Sequence, residues 1–116
     1  MINEFRRARR RKAPATILVI DAMTERVVGR IGNLSETGML LMAGTPLVDD
    51  ALYQFRFSLP TEGGDESNVE IGAHLLWMDQ ASAPGQTWAG FRFLGITELQ
   101  ARPLRAWIDA PGSRYE

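Results

Sequence analysis

Period-two alternation of apolar and polar positions runs through most of this chain and gives way to helical spacing near its end. From Thr16 the run Thr-Ile-Leu-Val-Ile is β-branched and apolar and predicts a strand. Asp21 to Glu25 supplies turn chemistry before Arg26-Val27-Val28-Gly29-Arg30-Ile31 resumes a strand, so the pair reads as a hairpin. Beyond Asn33 to Thr37, a further apolar strand covers Gly38 to Ala43 and closes at Gly44-Thr45-Pro46. The clearest alternation follows, with Tyr53, Phe55, Phe57 and Leu59 on one face, Gln54, Arg56 and Ser58 on the other, and Pro60 ending the run.

The acidic, Gly-rich stretch from Thr61 to Asn68 reads as an exposed hairpin loop. Val69, Ile71, Ala73, Leu75 and Trp77 then alternate with Glu70, Gly72 and His74. After the Ala83-Pro84-Gly85 turn, Trp88 to Leu94 places Ala89, Phe91 and Phe93 on one face. Thr97 and Gln100 match a capping box, and Leu99, Leu104, Trp107 and Ile108 recur at helical spacing. Pro103 predicts an irregular first turn, with regular helix from about that residue. The sum is about six antiparallel strands and a terminal helix.

At 116 residues with 45% hydrophobic content, the chain suffices for one core. No run of about 18 apolar residues and no apolar segment behind the basic N-terminus appears, so neither a membrane span nor a signal peptide is expected, and a cytoplasmic location is. The absence of cysteine excludes disulfides, thiolate metal sites and a cysteine nucleophile. The net charge of −1 conceals a segregation: six of the residues from Arg6 to Lys12 are basic, which leaves seven basic residues against fourteen acidic ones elsewhere. Residues 1–14 therefore read as a flexible basic arm that orders when its charges are paired, residues 15–110 as the folded domain and residues 111–116 as a tail.

Taken singly, the notable residues have ordinary explanations. An arginine run is usually a solvated tail, and Asn33 through Gly38 is common turn chemistry. His74 falls on the non-core phase of its strand and carries no catalytic role. Trp77, Trp88 and Trp107 suit core or rim packing, and Met39 and Met42 fill the core. Asp49, Asp50, Asp65 and Glu66 lie in loops without the pairing that acid and base catalysis or a metal site requires, so no enzyme, cofactor or metal is expected.

Two segments change this picture together. Arg6-Arg7-Ala8-Arg9-Arg10-Arg11 contains an R-x-x-x-R just before the opening strand, and Asn33-Leu34-Ser35-Glu36-Thr37-Gly38 fits [D/N]-x-S-x-x-G between the second and third. In that order the pair resembles the PilZ signature, and the likeness extends through Trp77 and Gly90-Phe91-Arg92-Phe93 to the helix. The resemblance implies a six-stranded antiparallel β-barrel of the split-barrel kind with a C-terminal α-helix, binding the second messenger cyclic di-GMP. That ligand presents two phosphates and two guanines, and the arginine fork addresses phosphate oxygens or guanine O6 and N7 while its flat face stacks on a base.

The ligand-binding residues so implied are Arg6, Arg7, Arg11, Asn33, Ser35, Gly38 and Trp77, the last stacking on a base. Family members place the second arginine about three residues before a proline or the first strand, which favours Arg7 with Arg11 ahead of Pro14; Arg6 with Arg10 satisfies the same spacing. In the first register Arg6 stands just before the motif, a position the resemblance links to binding one or two ligand molecules. Asn33 and Ser35 offer groups for a guanine edge, and Gly38 suits positive φ or close backbone approach. The family implies a protein partner in motility, exopolysaccharide or pilus machinery. The rival readings are an adaptor that binds no nucleotide and a nonspecific nucleic-acid module, the latter disfavoured by the acidic body.

Overall fold

A computed structural model of the chain describes residues 8–116. Its strands are β1 (Arg11–Lys12), β2 (Leu18–Asp21), β3 (Arg26–Leu34), β4 (Gly38–Ala43), β5 (Leu52–Pro60), β6 (Glu66–Gln80) and β7 (Thr87–Leu94), followed by helix α1 (Glu98–Ile108). All pairings are antiparallel, in the order β1-β3-β2-β5-β6-β7-β4, and an additional β3–β4 pairing closes β2 to β7 into a six-stranded barrel. β1 is an addition outside that ring, hydrogen-bonded to β3.

Closure explains why alternation was so clear: the inner face of every strand is core. Val19, Ile31, Leu34, Met39, Leu41, Phe55, Phe57, Leu59, Val69, Ile71, Ala73, Leu75, Ala89, Phe91 and Phe93 are buried there. Phe55 and Phe91 meet edge to face with centroids 5.0 Å apart, and Tyr53 stacks on Phe55 at 5.3 Å. Tyr53 remains half-buried because its hydroxyl accepts the Val48 N–H at 2.8 Å.

Helix α1 covers one end of the barrel with Leu104, Trp107 and Ile108 joining the core. It is regular from Glu98, in contrast to the irregular start expected from Pro103. Both hydrogen bonds of the capping box at Thr97 and Gln100 form, and Gln100 also donates to the Glu70 carbonyl at 2.9 Å, so the first turn is anchored before Pro103 withholds one interior N–H. Leu99 points to solvent, 76% exposed, and Ala101 takes the buried position on that side of the helix.

The Thr61–Asn68 loop is shorter than expected. β6 starts at Glu66, and the pairs Pro60↔Glu66, Leu59↔Ser67 and Ser58↔Asn68 continue the ladder with polar side chains that carry no alternation to reveal them. A larger departure concerns Trp77, which the pattern placed in phase with Leu75. A bulge between Leu75 and Trp77 shifts the register by one, and Trp77 lies on the outside, 47% exposed.

Candidate functional site

Segments from opposite ends of the chain meet beside Asn33. Arg11 and Lys12 pair with Leu34 and Asn33 on one edge of β1. On its other edge the Lys12 N–H donates to the Arg114 carbonyl at 2.8 Å, the Glu116 N–H donates to the Arg10 carbonyl at 3.0 Å, and Arg11 bridges Tyr115. The stretches read from sequence as arm and tail therefore run side by side over residues 10–12 and 114–116. Both edges of β1 have partners, which is how a strand of two residues is held.

Period-two geometry then divides the arginines. Arg10 turns toward β3 and its Nη1 donates to Asn33 Oδ1 at 3.0 Å. Arg9 and Arg11 turn the other way: Arg9 pairs with Asp109 and lies 4.7 Å from the Tyr115 ring centroid, while Arg11 lies 4.3 Å from that of Trp107 and donates to the Trp107 carbonyl at 2.7 Å. Of the sequence candidates, Arg11 is thus engaged with the helix end, and Arg6 and Arg7 lie outside the described residues. Arg11 Nε and Trp107 Nε1 are both buried without a hydrogen-bond acceptor.

The second motif is a tight turn whose hydroxyl is spent internally. Ser35 is fully buried; its Oγ accepts the N–H groups of Thr37 at 3.1 Å and Gly38 at 3.2 Å, and its own N–H donates to the Gly38 carbonyl at 2.9 Å. The Phe93 N–H donates to the Thr37 carbonyl at 2.8 Å, tying the turn to β7. Gly38 serves by close approach alone, since a Cβ there would run into the Phe91 carbonyl oxygen, and its φ is not positive. Glu36, at the tip, lies 3.6 Å from Arg105, which also binds Glu98 at 2.6 Å and holds that carboxyl below the usual glutamate range by hydrogen bond and charge.

Asn33 opens a row across the outside of the barrel. Asn33 pairs with Leu40, Leu40 with Gly90, and Gly90 with Trp77, a span of about 14 Å at the usual strand spacing. Register shifts next to Gly32 and Leu76 turn both ends of this row outward while Leu34 and Leu75 stay inside. The indole of Trp77 lies across Gly90, where a Cβ would overlap its Nε1 and Cε2. Trp88 approaches Gly32 in the same way, so two tryptophans rest on two glycines of one face.

The structure thus brings Asn33, Ser35, Gly38 and Trp77 to one side of the barrel, the first three buried and Trp77 half-exposed, and adds Arg10, Leu40 and Gly90 to that side. Gly90 was visible only as part of a motif likeness, because neither bulge that aligns it with Trp77 leaves a mark in composition. The surface is open. A cleft of about 390 Å³ lined by Arg11, Ile17, Pro60 and Trp107 lies at the helix-covered end and contains none of the four. Elsewhere His74 bonds Asp50 at 2.6 Å, and no cluster of three or more His, Cys, Asp or Glu among the described residues could hold a metal ion. No helix among them is long and apolar enough to cross a membrane.

Comparison with known proteins places this architecture. No curated protein matches the sequence significantly. Among solved structures, the chain is similar to the inhibitor of motility MotI/DgrA of Bacillus subtilis, with a TM-score of 0.69 and 15% identity over 90% of this chain and 49% of that one. It is also similar to the PilZ domain of YcgR from Escherichia coli solved with c-di-GMP (TM-score 0.65, 19% identity, 87% of each chain) and to YcgR of the same organism in complex with c-di-GMP (TM-score 0.65, 20% identity, 86% of this chain and 43% of that one). The chain therefore spans about half of the motility inhibitor and less than half of the full YcgR. The family model of the PilZ domain matches residues 4–110, nearly the whole sequence, and with barrel and helix as described, the chain belongs to the PilZ domain family.

Proposed function

We propose that this domain is a receptor for cyclic di-GMP, held on the outer face of the barrel between the Ser35 turn and Trp77. The observation that carries the reading is the contact between Arg10 and Asn33, which sets the first motif directly against the second. It favours Arg6 and Arg10 as the R-x-x-x-R pair, because Arg11 is committed to Trp107. The YcgR structures with c-di-GMP support the ligand class.

Each residue then has a task set by its chemistry. The Arg10 fork binds a phosphate or the O6 and N7 edge of guanine, and Asn33, released from it, meets the guanine polar edge. Ser35 and Gly38 act by shaping the turn, and Trp77 offers a half-exposed face for base stacking. The domain works by binding, without a catalytic step or a cofactor. Capture of the arginines reorganises the arm and the strand beside it, and that rearranged corner is what a protein partner of the motility, exopolysaccharide or pilus machinery reads.

The test is calorimetric titration with cyclic di-GMP, with GTP and cyclic di-AMP as controls, at two salt concentrations. A selective isotherm of micromolar affinity or better, lost in Arg10→Ala and retained in Arg11→Ala, is the expected result. Silence toward cyclic di-GMP overturns the receptor reading and leaves a PilZ adaptor that binds no nucleotide.

A further inference from the structure

On β7 the outward positions are Trp88, Gly90 and Arg92, because Ala89, Phe91 and Phe93 are buried. Gly90 lies beneath the Trp77 indole, and Arg92 occupies the next outward position toward the Ser35 turn. Its ladder neighbours are Gly38 on β4 and His74 on β6. Directly opposed residues in such a ladder have Cα atoms about 5 Å apart. Gly38 has no side chain to rise between Arg92 and the turn, so the same bare position that lets β7 approach also clears a path for the guanidinium.

Arg92 is exposed, and among the described residues it has no ion pair and no side-chain hydrogen bond. That sets it apart from Arg9, Arg10, Arg11, Arg56, Arg102 and Arg105, each of which binds a side chain or carbonyl. The carboxylate that reaches its neighbour on β6 is Asp50, and His74 engages it. A guanidinium in this state binds an anion without first breaking a pair, so the full charge-assisted bidentate bond goes to the incoming group.

We infer that Arg92 is a further phosphate-binding residue of the site, approaching the ligand from β7 while Arg10 approaches from the β1 side. The inference rests on the receptor reading above and adds to it a contact that neither motif contains. It assigns the phosphate nearer the Ser35 turn to a residue held by strand β7.

Titration of Arg92→Ala with cyclic di-GMP at several salt concentrations tests it, with Arg26→Ala as the control, since Arg26 faces Asp21 at the far end of β3. The expected result is affinity about ten- to a hundredfold weaker in Arg92→Ala and unchanged in Arg26→Ala. The dependence of log affinity on log salt should also flatten by up to about one unit, as loss of a phosphate contact requires. Arg92→Lys, which keeps the charge, should restore the salt dependence and part of the affinity. Wild-type binding with an unaltered Arg92→Ala isotherm overturns this inference alone; weakened binding with unaltered salt dependence overturns the phosphate assignment; a silent wild type overturns the receptor reading and this inference with it.

Discussion

The guanidinium of Arg11 lies over the indole of Trp107, 4.3 Å from its centroid, and the same side chain donates to the Trp107 carbonyl at 2.7 Å. One residue of the basic segment thus fastens the start of the chain to the end of its only described helix. Arg11→Ala is expected to lower stability by about 1–2 kcal/mol, from a lost cation–π contact and a lost hydrogen bond. In a domain of this size that is a fall of several degrees in Tm. Thermal unfolding followed by tryptophan fluorescence measures it, and an unchanged midpoint would show that the contact contributes nothing.

Ser35 and Gly38 should show up in stability as well as in binding. Ser35→Ala leaves the Thr37 and Gly38 N–H groups without their acceptor, at a cost of about 1–3 kcal/mol. Gly38→Ala forces a Cβ against the Phe91 carbonyl oxygen and should cost a similar amount by parting β4 from β7. Urea denaturation distinguishes this from a contact role: a shifted midpoint in both variants is expected, and full stability with lost binding would mean that Ser35 touches the ligand itself.

Gly90→Ala probes the seat of Trp77. The added methyl overlaps the indole, and because Trp77 is half-exposed its ring can swing away at little cost to the fold. Stability should change by less than about 1 kcal/mol while cyclic di-GMP affinity falls about as far as in Trp77→Ala, roughly tenfold on the usual worth of base stacking. Equal affinity in wild type, Gly90→Ala and Trp77→Ala would remove Trp77 from the site.

The tail makes its own prediction. Deleting residues 113–116 removes the carbonyl of Arg114 and the N–H of Glu116 that bracket β1. Hydrogen exchange at the Lys12 amide should accelerate by an order of magnitude or more, with the β5–β6 amides unaffected. Unchanged protection of Lys12 would mean that β3 alone retains the strand.

Much of the barrel was legible because closure buries one face of each strand, and residues such as Phe55, Phe57, Val69 and Ile71 record that face directly. The helix was legible from Thr97 and Gln100, whereas Leu99 misled because a helical repeat tolerates one apolar residue on its wet side. The site was legible as motif and not as geometry. Trp77 carried an inward phase that one bulged residue reversed. Arg9, Arg10 and Arg11 form an unbroken run in which only strand alternation, set by pairing of β1 with Leu34 and Asn33, separates Arg10 from its neighbours. β1 itself holds two basic residues with no apolar signal, since its partners are backbone groups of β3 and of residues 114–116.

That both ends of the chain meet in one ladder has a topological consequence. Because Glu116 already donates to the Arg10 carbonyl, a short turn joining Glu116 to Arg9 would make tail and β1 a continuous hairpin, with new ends opened at the exposed Gly63–Gly64 tip. In such a circular permutant residues 9–12 are tied at both ends and can no longer leave the barrel. The difference between its affinity for cyclic di-GMP and that of a chain cut to begin at Arg9 then measures what release of residues 9–12 is worth.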